Sequence, residues 1–179
     1  MALDDKHKLY DEALCIYKKF NQPVDAIKVI LYKLNNIRQA TEFAEKTNKP
    51  ETWSELAKAQ LLQRALIPAI DAFIKANDAS EFEAMIELSQ EQYEPEPLIK
   101  YLLMARTQLK DTRVDNELIF AYAKGGERWL GDLESFVNEP NQANCEQCGD
   151  RCFDDKLYLA AEILYKRIAN NQKLAQVYV

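Results

Sequence analysis

The side chains best suited to chemistry are three cysteines, Cys145, Cys148 and Cys152, crowded into eight positions of a 179-residue chain. A Cys-x-x-Cys pair can hold zinc or cycle between dithiol and disulfide, because the thiolate is both a metal ligand and a nucleophile. Structural zinc takes four protein ligands. The remaining candidates, Cys15 and the single histidine His7, lie roughly 130 positions or more upstream. Spacing gives the plainer reading. Positions i, i+3 and i+7 share one face of a helix, where thiols serve as small apolar core groups. So crowded a set is also a poor layout for disulfides, and reduced thiols are expected.

Other candidates assemble no better. Gly125-Gly126 with Gly131 lacks the Lys-Ser or Lys-Thr of a phosphate-cradling loop and follows no strand, so a turn between helices is expected. Within a helix, Gly131 marks either a close helix contact or a weak spot costing about 1 kcal/mol relative to alanine. The acidic pairs Asp4-Asp5 and Asp154-Asp155 are adjacent in sequence, whereas acid and base carboxylates must oppose each other across a cleft. His7, between Lys6 and Lys8, reads as solvated. Trp129, beside Arg128 at a turn, is the large aromatic suspected of exposure; a staple onto the neighbouring hairpin is expected ahead of a role as a contact residue. No catalytic, cofactor-binding or metal-binding residue is assigned, no cofactor is implied, and a non-enzymatic role is expected.

Any such residues would have to be positioned by helices. The chain has 47% hydrophobic and 29% charged residues, enough to fold around a core, and only 4 glycines, too few for a protein rich in tight hairpins. A net charge of −6 opposes binding to nucleic acid or to an anionic membrane face. The first residues lack the apolar run of a signal peptide, and a cytoplasmic location is expected.

A small or apolar residue followed three or four places later by an aromatic or leucine recurs along the chain. Ala13 leads to Ile16 and Tyr17, Ala40 to Phe43, Ala69 to Phe73, Leu98 to Tyr101, Leu130 to Leu133, and Ala161 to Leu164 and Tyr165, at intervals of 27 to 32 residues. Second apolar segments fall between these anchors, around Val29-Ile30 with Leu34, Leu56 to Leu61, and Met85-Ile86 with Ser89. A unit of about 30 residues holds two helices of average length and a turn. Turn signals fit this scheme at Asn21-Gln22-Pro23, Asn35-Asn36, Asn48-Lys49-Pro50, Asn77-Asp78, Pro95-Glu96-Pro97, Gly125-Gly126, Pro140 and Asn170-Asn171. Ser80 with Glu83 fits a capping box. The prediction is all-α: an α-solenoid of stacked antiparallel hairpins, about twelve helices in one segment over residues 1–179, stacked into a rod. The apolar ending, Leu174 to Val179, suggests a fragment of a longer chain. The aromatics Tyr10, Tyr17, Phe20, Phe43, Trp53, Phe73, Tyr101, Phe120 and Tyr165 are expected to pack between helices. Ala57, Leu61 and Ala69 complete the helix-packing set.

These hairpins resemble the clathrin heavy-chain repeat family. The resemblance is carried by Glu42-Phe43-Ala44-Glu45, the run from Trp53 to Leu61, Ala69-Ile70-Asp71 with Ile74-Lys75-Ala76, Leu98 to Leu102 with Met104-Ala105-Arg106, Glu117 to Ala121, and Gly149-Asp150-Arg151-Cys152. It covers essentially the whole chain and points to the distal leg and knee region. It implies a scaffold segment of a three-legged coat unit, on the cytoplasmic face of coated pits and endocytic and trans-Golgi vesicles. The implied partners are other heavy-chain legs, with light chain bound mainly outside this segment and the membrane reached only through adaptors. The family trimerises at its far C-terminal hub, so the segment itself is expected to be monomeric. Cys145 and Cys148 stand where the family carries aliphatic residues. Gly125 to Arg128 resembles a short insertion, and Gly131 replaces a better helix former.

Three rival readings remain at this stage. A solenoid subunit of a vacuolar tethering complex shares the repeat, although the Trp53 to Leu61 run favours clathrin. An RNA-binding helical repeat calls for a longer period and a basic groove. A zinc or thiol enzyme on Cys145 and Cys148 lacks ligands.

Overall fold

The computed structural model describes residues 2–92 and 94–178, with side chains from Leu9 onward. Among these residues are twelve α-helices, one short 3-10 helix and no strand, and the architecture is the expected all-α solenoid of stacked helical hairpins. The chain forms two compact units, Met1–Gln92 and Tyr93–Val179.

The first unit contains α1 (Ala2–Lys19), α2 (Pro23–Tyr32), α3 (Ile37–Thr47), α4 (Pro50–Leu62), α5 (Leu66–Ala76) and α6 (Phe82–Glu91). Each helix packs on its chain neighbour, and α2 also packs on α4, the next helix but one. That skip contact stacks one hairpin on the next. The core is laid down by Ile27, Ile30, Leu56, Ile70, Phe73 and Met85, all essentially fully buried.

The second unit contains α7 (Pro95–Gln108), α8 (Thr112–Lys124), the 3-10 helix Glu127–Trp129, α9 (Leu130–Asn138), α10 (Cys145–Asp154), α11 (Tyr158–Arg167) and α12 (Asn171–Val177). Here α8 packs on α10 and α9 on α11, so two rows of alternate helices are stacked. Tyr101, Leu102, Leu118, Ile119, Leu133 and Leu164 fill this core.

Helix ends follow local chemistry. Proline occupies the first turn of α2, α4 and α7, where its missing N–H leaves no ladder bond unmade. The side chains of Asn36, Asp111, Asn144 and Asn170 accept hydrogen bonds from backbone N–H groups of the first turns they precede. Asn21, Asn35, Asn48 and Asn77 take left-handed backbone angles after helices, a conformation asparagine tolerates better than most residues.

The six sequence anchors fall on α1, α3, α5, α7, α9 and α11, so the repeat is a pair of helices throughout. Three expectations need correction. Phe20 does not pack between helices: it follows the end of α1 and is exposed, as is Ile16 on α1 itself, where Leu14 is the buried residue. Helix α6 does not start from a capping box at Ser80. It begins at Phe82 with Glu81 before it, and the Ser80 N–H instead donates to the Asp78 side chain in a turn. Leu61 is only half-buried, whereas the other seven residues singled out for helix packing (Trp53, Ala57, Ala69, Phe73, Tyr101, Phe120 and Tyr165) are buried.

Candidate functional site

The cysteines lie on α10. Cys145 is its first residue and is half-buried, while Cys148 and Cys152, one and two turns on, are buried against α8 and α11. The Cys148 thiol lies 3.4 Å from Asn116 Oδ1. Burial pushes both inner thiols up to about 12, with the neighbouring sulfurs adding to the effect at Cys148. Burial also raises Cys145, against the opposing pull of Arg167. Nucleophilic or ligating sulfur requires a thiolate, and this environment disfavours one at neutral pH. Among the described residues no group of three or more His, Cys, Asp or Glu side chains is placed to hold a metal ion. His7 and the pair Asp4-Asp5 fall outside the described side chains. Asp154 and Asp155 are exposed at the end of α10, with Asp155 paired to Lys124 at 3.8 Å.

The glycine turn holds an aromatic cluster and no phosphate cradle. Gly125 ends α8, and a Cβ there would come within 2.4 Å of Trp129 Cδ1, so the absence of a side chain lets the indole lie against the helix end. Gly126 has φ +85°, which glycine adopts without strain. Trp129 is half-buried, with its ring centroid 5.9 Å from that of Tyr122. It packs onto the preceding hairpin helix. Gly131 faces open space, which settles its role as a weak spot and not a close contact.

The polar chemistry lies between successive repeats, along links that join residues about one period apart. In the first unit Lys28 pairs with Glu55 at 3.6 Å, Ser54 donates to Asp78, and Arg64 pairs with Glu91. In the second, Arg128 pairs with Glu96 at 2.9 Å, and Arg151 pairs with Glu117 while its guanidinium lies 3.5 Å from the Phe120 ring centroid. Lys173 reaches back to Glu146 at 2.9 Å and to Asp150 at 2.8 Å. Asp150 also accepts from the Tyr165 hydroxyl at 2.8 Å, and the Lys173 contact holds its carboxyl below the usual carboxylate range. Asp115, nearly fully buried, accepts from Arg106 Nε at 3.1 Å and from the Gln142 backbone N–H at 2.8 Å, tying α7, α8 and the loop before α10 together. Gly149 belongs to this framework, since a Cβ there would lie 2.7 Å from Tyr165 Cε1.

Sequence reasoning found the cysteine face and the glycine turn but missed these cross-repeat links. Their signal is charges of opposite sign spaced by roughly one repeat, as in Lys28 with Glu55 and Glu96 with Arg128. It also missed an exposed apolar pair, Tyr32 and Leu62, at the ends of α2 and α4.

Fold and contacts define a helical-repeat segment, with buried thiols as packing groups and polar side chains that fasten one hairpin to the next. Comparison with known proteins agrees. Residues 4–66 and 73–179 match the family described as the region in clathrin and VPS, and the chain belongs to that family. It is 42% identical over 169 residues to the clathrin heavy chain of Drosophila melanogaster, covering 94% of this chain and 10% of that protein. It is 44% identical over 172 residues to clathrin heavy chain 1 of Arabidopsis thaliana and 40% identical over 172 residues to the clathrin heavy chain of Dictyostelium discoideum. In both cases 96% of this chain and 10% of the relative is covered. The chain thus spans about a tenth of the length of the curated relatives it matches. No helix among the described residues is long and apolar enough to cross a membrane.

Proposed function

We propose that residues 1–179 are one segment of a clathrin heavy-chain leg, serving as a non-enzymatic scaffold in the coat around endocytic and trans-Golgi vesicles. The observation that carries this reading is the helical hairpins fastened one period apart within each unit, in a chain about 40% identical to clathrin heavy chains over nearly its whole length. In a stack where each hairpin touches only its neighbours, small rotations shared over many interfaces change curvature without breaking any one of them. Many weak contacts between legs then make assembly both cooperative and reversible. The partners are other heavy-chain legs. Light chain binds mainly outside the segment, adaptors supply the link to the membrane, and the isolated segment is a monomer on the cytoplasmic side. The tethering-complex alternative shares the repeat family, but the quoted relatives, at 40 to 44% identity, are clathrin heavy chains.

The test is assembly of the full-length heavy chain that carries this segment, followed by sedimentation and electron microscopy. The intact chain should form polyhedral cages, and a chain lacking residues 1–179 of this segment should not. Cages that form equally well without it would remove the scaffold role.

A further inference from the structure

A groove of about 570 Å³ opens on the first unit between the ends of α2 and α4 and the length of α6. Its floor is apolar: Tyr32, Leu61, Leu62, Ala84 and Leu88. Tyr32 is 50% exposed and Leu62 77% exposed, far more than the core leucines behind them. The two residues stand one repeat apart, so they line the groove side by side along the stack.

The banks carry opposite charge. On the α6 side are Glu81, Glu87 and Glu91, and α6 itself contains no basic residue. On the α4 side are Lys58 and Arg64. Arg64 is already committed to Glu91, and Gln92 Nε2 donates to the Arg64 carbonyl at 3.0 Å, which latches the end of α6 to the turn after α4. At the other end Asp78 accepts from Ser54 of α4 and from the Ser80 N–H, fixing the loop that leads into α6. The groove is therefore held open from both ends before anything binds, which lowers the ordering cost of binding. Among the described residues Glu81 and Glu87 have no ion-pair partner.

We propose that this groove docks an amphipathic helix of another protein, with an apolar stripe seated on Tyr32 and Leu62 and Lys or Arg residues facing Glu81 and Glu87. An apolar floor of this size takes the i, i+3, i+4 and i+7 side chains of a short helix, and the acidic bank sets which face of that helix turns toward α6. This docking is independent of the coat reading, because it requires only the first unit.

The test uses the 179-residue chain and two fluorescein-labelled 16-residue helical peptides. Both carry leucine at i, i+3, i+4 and i+7. One carries lysine and the other glutamate on the flanking face. The lysine peptide should bind with at least a tenfold preference over the glutamate peptide in fluorescence anisotropy, and weaken severalfold when NaCl rises from 50 to 300 mM. Leu62→Asp should reduce its affinity at least tenfold, and Glu87→Lys should weaken it while improving the glutamate peptide. Leu103→Asp, at an exposed leucine of α7 in the second unit, should change neither. All three positions lie on the surface, and circular dichroism will show the variants folded. Equal binding of both peptides, no binding of either, or equal loss on Leu103→Asp would overturn the proposal. Concentration-dependent dimerisation abolished by Leu62→Asp would assign the groove to a second copy and overturn it too.

Discussion

Cys148 and Cys152 show how environment decides what a residue type does. A Cys-x-x-Cys pair reads as chemistry in a sequence, yet burial in the α8–α10–α11 interface holds both inner thiols protonated. With a thiol-specific chromogenic reagent at neutral pH, exposed Cys15 should react first and Cys145 more slowly, whereas Cys148 and Cys152 should react only as fast as the second unit unfolds. The same burial makes stability depend on pH. An unfolded thiol titrates near about 8.5, but the folded pair titrates near about 12. Their contribution is complete below the unfolded value and is lost as pH rises toward the folded one. Urea midpoints of the second unit should therefore fall between pH 8 and pH 10.5, and replacing both inner cysteines with alanine should flatten that slope. Two glycines divide in the opposite sense. Gly149→Ala should destabilise by about 1–3 kcal/mol because its new methyl meets Tyr165. Gly131→Ala, on an exposed helix face with open space around it, should stabilise by about 0.5–1 kcal/mol. Thermal denaturation of the two variants checks both signs.

Among the elements, helix pairing was legible because the anchors kept their interval, and most turns were legible because Asn, Pro or Gly marked them. Three turns were not: Gln63 to Ala65, Leu109 to Asp111, and Asp155 to Leu157. Two of them place Arg64 and Lys156 in the left-handed conformation that elsewhere in the chain belongs to asparagine, and Ala169 does the same after α11. A residue with a Cβ bears a cost of about 1–2 kcal/mol there, so the sequence offers no flag at these positions. In each case the backbone closes the helix by the same paired bonds, for example Lys156 N–H to the Phe153 carbonyl and Leu157 N–H to the Cys152 carbonyl. Ala169→Gly should accordingly stabilise the second unit by about 1 kcal/mol, read as a shift of its urea midpoint at unchanged slope. Arg64 carries the same local cost, but its guanidinium latches Glu91 of α6. Phe20, just past the end of α1, was misread for a different reason. Helical period identifies a stripe but not which stripe faces inward, and on α1 the buried side runs through Leu14.

For the whole molecule, cohesion is local at every level. Within each unit, contacts join most helices to a chain neighbour and, at α2 with α4, α8 with α10 and α9 with α11, to the next helix but one, and the polar links span about one repeat, from Lys28 with Glu55 to Lys173 with Glu146. Such a chain behaves as a series of coupled units, in which damage spreads to adjoining hairpins and weakens with distance. The most direct measurement is amide hydrogen exchange, followed by mass spectrometry, on the Cys152→Asp variant, which forces a carboxylate into a fully buried position. Protection should fall in α8, α10 and α11, while α4 and α5 of the first unit keep the protection of the unmodified chain. Equal loss of protection in α4 and α5 would show a single cooperative core and contradict the repeat-by-repeat account.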